Sequence, residues 1–267
     1  MKSQSPLGDW LFAFSVAKVS SMKSLFALLT LTVAMMGMSA PASAGDNSVV
    51  VVELFTSQGC PACPPADKVL TNLTKERNII TLSWAVDYWD YLGWKDVNAK
   101  PEYTQRQESY NKTLQKKGVY TPQMIINGRK QVVGSRIWDI REAITHYRKR
   151  EAPVTKIQMS ADDGQLNVHI RSRSRKTFSQ PTNVYLIWHD ISQSFEVSMG
   201  DNQGKTLNYS NVVQGFRKVG EWTNHGIDLD VDISRLLERG IKGFTVIAQD
   251  APGRPITAAG TIVVNND

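Results

Sequence analysis

The chain has 267 residues, 41% of them hydrophobic and 21% charged, with a formal net charge of +6. That length serves two domains of common size or one large one, and the composition is that of a globular protein with a sizeable core, which excludes a low-complexity or disordered chain. The basic surplus is thinly spread and forms no long stripe interleaved with aromatics, so a nucleic-acid partner is not expected. Its two tight clusters read as ordinary surface: "YRKR" (Tyr147 to Arg150) lies near a helix end, and Arg171, Arg173 and Arg175 share one face of a solvated strand end rather than an anion site.

In chain order, residues 1–44 read as an export signal peptide. Lys18 and Lys23 precede "LFALLTLTVAMMGMSA", an apolar stretch too short for a good spanning helix, and Ala42 to Ala44 supply small residues for a signal peptidase. Met22 begins a better-proportioned signal than Met1. An uncleaved anchor is the alternative. The mature chain is expected to start at Gly45 after cleavage near Ala44, with no stable membrane insertion, in the bacterial periplasm, where cysteine pairs persist as disulfides.

Val49 to Phe55 has the β-branched run of a buried strand, and Val69, Leu70 and Leu73 follow at helical spacing. Ile79 to Val86 is a second apolar strand, which makes a parallel β-α-β unit. After an aromatic loop, "DYWDYLGWKD", a polar helical stretch runs to about Lys117. Met124 to Ile126 and Lys130 to Val133 flank an Asn127-Gly128 hairpin turn. Ile137, Ile140, Ile144 and Tyr147 then form one stripe of an amphipathic helix. Beyond a boundary near Ala152-Pro153 the texture changes. "TKIQMSADDGQLNVHIRS", "NVYLIWHD", "SFEVSM", "GIDLDVDI", "GFTVIAQD" and "ITAAGTIVV" are short turn-separated segments of an antiparallel sandwich. The expected architecture is therefore an α/β domain over 45–152, followed by a β-rich, sandwich-like domain over 153–267.

The only two cysteines, Cys60 and Cys63, stand between the first strand and its helix. Strand, Cys-x-x-Cys, helix is the arrangement of thioredoxin-like redox proteins. A thiolate at a helix N-terminus is stabilised by unpaired N–H groups and the dipole, which lowers its pKa. Cys60 would be the nucleophile and Cys63 the buried resolving thiol. Thr121-Pro122, just before the hairpin, is placed for a cis-proline turn that presents its backbone to a substrate peptide. Glu53, if buried on the incoming strand, would take the proton from Cys63; a surface carboxylate is the alternative. Asp87, Trp89, Asp90 and Trp94 crowd the loop at the same sheet edge, either to bind substrate or to seal the two halves together. Pro64-Pro65 is comfortable only in a first helical turn, so the helix either starts there with Cys63 as its cap or begins distorted.

"VVELFTSQGCPACPPAD", "VDYWDYLGWKD", "VYTPQMIINGR" and "GKTLNYSNVV" together resemble an exported thioredoxin-like family known as domain-of-unknown-function family 1223. The resemblance implies a thioredoxin-like fold with a β-rich C-terminal part, and no settled activity. The chain departs from that pattern at Pro61 and Ala62, where serines are frequent, and at Ala85, where histidine is frequent.

The resulting expectation is a thiol–disulfide oxidoreductase acting on a protein substrate with a redox partner, without cofactor. Two alternatives stand beside it. One is a binding protein with an inert disulfide. The other is a Cu(I) chaperone, although His146 is the one histidine in the first half and zinc would want a second ligand pair. His169, His189 and His225 read as strand or surface residues. "GDNQGKT" (Gly200 to Thr206) has one residue too few for a phosphate loop and sits between strands. Asp228, Asp230 and Asp232 read as a solvated strand face rather than a calcium site.

Overall fold

The structure is a computed structural model and describes residues 48–150, 155–172, 181–223 and 226–265. The leader over 1–44, the Ala152–Pro153 boundary, Arg173, Arg175, Lys176 and His225 lie outside the described residues. In chain order the elements are β1 Val50–Thr56, α1 Pro64–Leu73, β2 Ile79–Ala85, α2 Pro101–Thr113, β3 Gln123–Ile126, β4 Lys130–Val133 and α3 Ile137–Arg150. They continue with β5 Thr155–Asp162, β6 Gln165–Ser172, β7 Thr182–Glu196, β8 Thr206–Trp222, β9 Ile227–Asp232, α4 Ser234–Glu238, β10 Gly243–Gln249 and β11 Ile256–Val263.

β1 and β2 are buried at every position, as a parallel pair covered on both faces must be. They run in register from Val50 opposite Ile79 to Thr56 opposite Ala85. β3 adds antiparallel to the other side of β1, and β4 to β3. The turn between those two has φ of 49° at Asn127 and 64° at Gly128, the left-handed pair that matches strand twist in a two-residue hairpin. Side chains alternate along β1. Val51 and Phe55 face α2, where Tyr103 and Tyr110 pack with Trp84, while Val50, Val52 and Leu54 face Leu70 and Leu73 of α1 and Ile140 and Ile144 of α3.

The C-terminal half does not stand apart as a sandwich of its own. One mixed sheet of eight strands runs in the order β11-β10-β7-β8-β2-β1-β3-β4, and a three-stranded sheet β5-β6-β9 accompanies it. The junction is a parallel contact of β2 with β8, Ser83 opposite Val212. The expectation of an α/β thioredoxin-like domain followed by a separate β-rich domain is thereby overturned. The described chain is mostly β, with four short helices among the described residues, and its principal sheet draws strands from both halves.

The physical reason lies in β8, a strand of 17 residues that local pattern does not announce. Gly215 and Gly220 interrupt its apolar alternation, Asn211 bends it with φ of 51°, and the Trp188 ring occupies the space that a side chain at Gly215 would need. Its neighbour β7 joins "NVYLIWHD" to the start of "SFEVSM" in one strand. A third core, of Leu166, Val168 and Ile170 against Leu186, Trp222, Phe244 and Val246, fills the space between the two sheets. Among the described residues no helix is long and apolar enough to cross a membrane.

Candidate functional site

Cys60 and Cys63 form a disulfide, with Cα atoms 5.4 Å apart. Two tight turns bring them together: Cys60 N–H donates to the Ser57 carbonyl at 3.1 Å and Cys63 N–H to the Cys60 carbonyl at 3.2 Å. α1 begins at Pro64, so Pro64 and Pro65 occupy the first turn where their missing N–H groups cost nothing, and Cys63 is the N-cap residue. The Cys63 carbonyl receives the N–H groups of Ala66 and Asp67 at 2.8 and 3.1 Å. Cys60 consequently sits three residues ahead of the helix and gains little from its dipole.

Pro61 and Ala62 are exposed, whereas Cys60 and Cys63 are both 0% exposed. The cover comes from the C-terminal half. Asn202, itself 0% exposed, donates from Nδ2 to the carbonyls of Gln58 and Cys60, each at 2.9 Å. Lys205 Nζ holds the Asn202 Oδ1 at 2.8 Å. The loop carrying Asn202 closes on itself, Val197 N–H reaching the Lys205 carbonyl at 3.0 Å and Gly204 N–H the Val197 carbonyl at 2.8 Å. This is the "GDNQGKT" segment, and here it packs on the cysteine turn through Asn202.

The aromatic loop braces the other side. Trp94 Nε1 donates to Gln58 Oε1 at 2.8 Å, and its ring packs with Val197, Leu207, Tyr209 and Val212. Asp96 Oδ2 accepts the Gln58 N–H at 2.9 Å, and Asp90 Oδ1 accepts the Asp96 N–H at 3.1 Å. Asp87 Oδ1 accepts from Thr104 Oγ1 on α2 at 2.6 Å. Trp89 Nε1 donates to Thr121 Oγ1 at 2.7 Å. Gly59 lies close against Trp89, where a Cβ would stand a tight 3.2 Å from that of the tryptophan. The Thr121-Pro122 bond is cis. Pro122 is brought beside α1 at Gly134, where an added Cβ would meet Ala66 at 2.9 Å and Pro122 at 3.0 Å. Cys60, Cys63, Thr121, Pro122, Trp89 and Trp94 therefore gather at one edge of the sheet, with Asp87 and Asp90 holding the loop in shape.

Glu53 does not join them. It is fully buried on the α2 face of β1, where Arg106 Nε donates to its Oε1 at 2.8 Å and the Tyr110 hydroxyl to its Oε2. Gln249 of β10 completes the network, bonded to Tyr110 at 2.9 Å and to Arg106 at 3.2 Å. α1 packs on the opposite face of β1, and the partners that the fold gives Glu53 are those of a buried ion pair rather than the cysteines. Among the described residues no group of three or more His, Cys, Asp or Glu side chains is placed to hold a metal, and His146 packs against Tyr147 on α3.

A different carboxyl stands one helical turn beyond Cys63. Asp67 is 5% exposed, and its Oδ1 accepts from Thr56 Oγ1 at 2.8 Å. Burial lifts its pKa to about 8, the Thr56 hydrogen bond opposing the shift and Asp96 adding to it. Burial likewise raises Asp96, which donated N–H groups from Gln58 and Asn98 hold back, and Tyr209, which also feels Asp67 and Asp96. Asp67 was legible in "CPPAD", four residues beyond Cys63. Asn202, Asp96 and Gln58 were not, because only the folded chain brings them to the cysteines.

The chain matches the family described as "Protein of unknown function (DUF1223)" over residues 51–249. It is similar to a crystal structure of a protein from Agrobacterium tumefaciens, 30% identical, with 84% of this chain and 98% of that chain covered and a TM-score of 0.71. It is also similar to HBP35 of Porphyromonas gingivalis, with a TM-score of 0.59, 12% identity, and 82% of this chain and 76% of that chain covered, a likeness of fold alone. No curated protein matches the chain. With the family match spanning most of its length and both halves of the sheet, the chain belongs to the DUF1223 family.

Proposed function

We propose that this is an exported, periplasmic thiol–disulfide oxidoreductase that acts on protein disulfides through Cys60 and Cys63, with the pair held closed until the Asn202 loop lifts. The observation that carries the reading is the seating of the disulfide. Its two bridging residues lie at the surface, while both cysteines are buried and the Asn202 side chain holds the Cys60 carbonyl from the C-terminal half. A staple in this position would do little, since a four-residue ring removes only ~2 kcal/mol of chain entropy from the unfolded state. Lifting Asn202 frees the backbone of Cys60, the sulfur that an incoming thiolate would attack, and Cys63 is the departing sulfur at the head of α1. Thr121, ahead of the cis Pro122, would present its backbone to the partner polypeptide, with Trp89 and Trp94 framing it. Exposed Tyr91, Leu92 and Met199 supply apolar surface on the same rim, at 82%, 40% and 56% exposure. Export rests on the leader sequence, with its cations, apolar run and small-residue cleavage site.

A second reading, a binding protein with an inert disulfide, is favoured by the complete burial of both cysteines. One experiment separates the two. The purified protein is equilibrated in glutathione buffers of graded potential, its thiols are counted by alkylation and mass spectrometry, and its turnover of a protein disulfide is measured. The redox reading expects a reversible two-electron transition without denaturant, and a mixed disulfide trapped on Cys60 by Cys63→Ala. A disulfide that reacts only after unfolding, with no turnover, would leave the binding-protein reading.

A further inference from the structure

Breaking an S–S bond by thiolate attack leaves an electron pair on the departing sulfur, and a desolvated thiolate needs a proton close at hand. Cys63 is sealed from solvent in the closed protein. Its backbone is already helical, with φ of −79° and ψ of −37°, and Asp67 follows one turn later with its N–H bonded to the Cys63 carbonyl at 3.1 Å. Side chains four apart share a helix face, with Cβ atoms about 5–6 Å from each other, within reach of a proton transfer direct or through one water.

The surroundings of Asp67 are those of a carboxylic acid and not of a carboxylate. Thr56 of β1 bonds Oδ1, and Oδ2 is buried without a partner among the described residues. The titratable groups that act on it are Asp96 from the loop after β2, with Asp90 behind it, and the Tyr209 phenol from β8, and among the described residues it has no ion pair. The Tyr209 hydroxyl and Gln58 Nε2 are likewise buried and unpartnered. Buried polar atoms left open in this way are rare enough to need an explanation.

We propose that Asp67 delivers the proton to the Cys63 sulfur when the disulfide is reduced and takes it back when the disulfide forms. This rests on the redox reading above. With a dithiol as reductant, one thiolate attacks Sγ of Cys60, the S–S bond breaks, and its electron pair passes to Sγ of Cys63. The acid proton of Asp67 moves to that sulfur and leaves a carboxylate. The second thiol, losing its proton to solvent, attacks the dithiol sulfur of the mixed disulfide and releases Cys60, which is protonated from solvent. The dithiol ends as a disulfide and the protein has gained two electrons. Oxidation retraces these steps.

The test is stopped-flow reduction of the oxidised full-length protein by dithiothreitol between pH 6 and pH 10. Wild-type rates are divided by those of a variant at each pH, which cancels the ionisation of the reductant. Against Asp67→Asn the ratio is expected to be ~100 at low pH and to fall toward one, with its midpoint near pH 8. Thr56→Val removes the bond that favours the carboxylate and should move the midpoint up. Asp96→Asn keeps an acceptor for Gln58 but removes a like charge, and should move it down. A flat ratio, or a midpoint indifferent to both neighbours, overturns the proposal. If Asp67→Asn does not fold, each rate divided by the thiolate fraction of dithiothreitol gives a midpoint for wild type and for each neighbour variant, and the two opposite displacements decide alone. Failure here leaves the redox reading standing. Success without turnover of any protein disulfide sinks the redox reading and keeps Asp67 as the proton source. A folded protein whose disulfide dithiothreitol never reduces overturns both.

Discussion

On the α2 face of β1, Glu53 meets Arg106, Tyr110 and, through them, Gln249 of the distant β10; on the α1 side, Asp67 has one hydroxyl from Thr56 and an oxygen left open. Both carboxyls are buried, yet the fold treats them in opposite ways. Glu53 is paired and hydrogen-bonded on both oxygens, which is the condition under which a buried charge is tolerated. Its direct partners, Arg106 and Tyr110, both come from α2, and through them Gln249 of β10 joins, so the network ties the first half of the chain to the second. Asp67 is denied a cation and set beside another acid, which holds it protonated near neutral pH. The contrast teaches that burial alone does not make a carboxyl chemical. An incomplete set of partners does, when it lies next to a bond that must be broken.

The largest expected effect tests the satisfied member. Arg106→Ala strands the Glu53 charge in the interior and should cost about 3–5 kcal/mol in guanidinium unfolding, with the midpoint falling at unchanged slope. A loss below about 1 kcal/mol would show that the network does not join the halves.

The next sharpens the contrast through pH. The folded Asp67 carboxyl keeps its proton to about pH 8, whereas an unfolded one releases it near 3.8, so its contribution to stability is whole below pH 3.8 and is lost as pH rises through 8. The stability of Asp67→Asn relative to wild type should therefore rise by ~3 kcal/mol between pH 5.5 and pH 8. His189, which burial pushes down to about 4, acts with the opposite sign. It removes stability as pH falls from 6.5 toward 4, equally in both proteins, and cancels in the comparison. A relative stability that stays flat over that range would remove the contrast between the two acids.

Smaller again is the effect of the lid. Asn202→Ala deletes two buried hydrogen bonds worth roughly 2 kcal/mol together, and should speed reduction of the disulfide by dithiothreitol about 30-fold. An unchanged rate would mean that the lid does not control access. The smallest belongs to Trp89→Phe, which loses the bond to Thr121 and should cost about 1 kcal/mol of stability with little change in reduction rate.

Much of the frame of the site was legible in the residues themselves. The run into the cysteines, the prolines that start α1, Leu70 and Leu73 on its buried stripe, and the Asn127-Gly128 turn all announce themselves, because each is a preference of a short stretch of backbone. The roles given to the two acids were less legible. Glu53 stands on the strand that leads into the cysteines, and the alternation of β1 turns it toward Arg106 and Tyr110 of α2. Asp67 stood at helical spacing from Cys63 all along, but only burial under β8 turns it from an ordinary surface acid into a held proton. The separate C-terminal domain was misread for the same reason: β8 carries glycines where an apolar pattern would have shown it.

What the amino-acid order determined by itself is local. It set the disulfide turn, the helix behind it and the strands that carry the hydrophobic core, since dihedral preferences and side-chain periodicity act over a few residues. Only the tertiary structure decided which sheet edge β8 would complete, and with that, that Asn202 would close over Cys60 and that Asp67 would lose its water. Edge pairing and desolvation depend on residues more than a hundred positions apart, and no pattern within a window of sequence carries them.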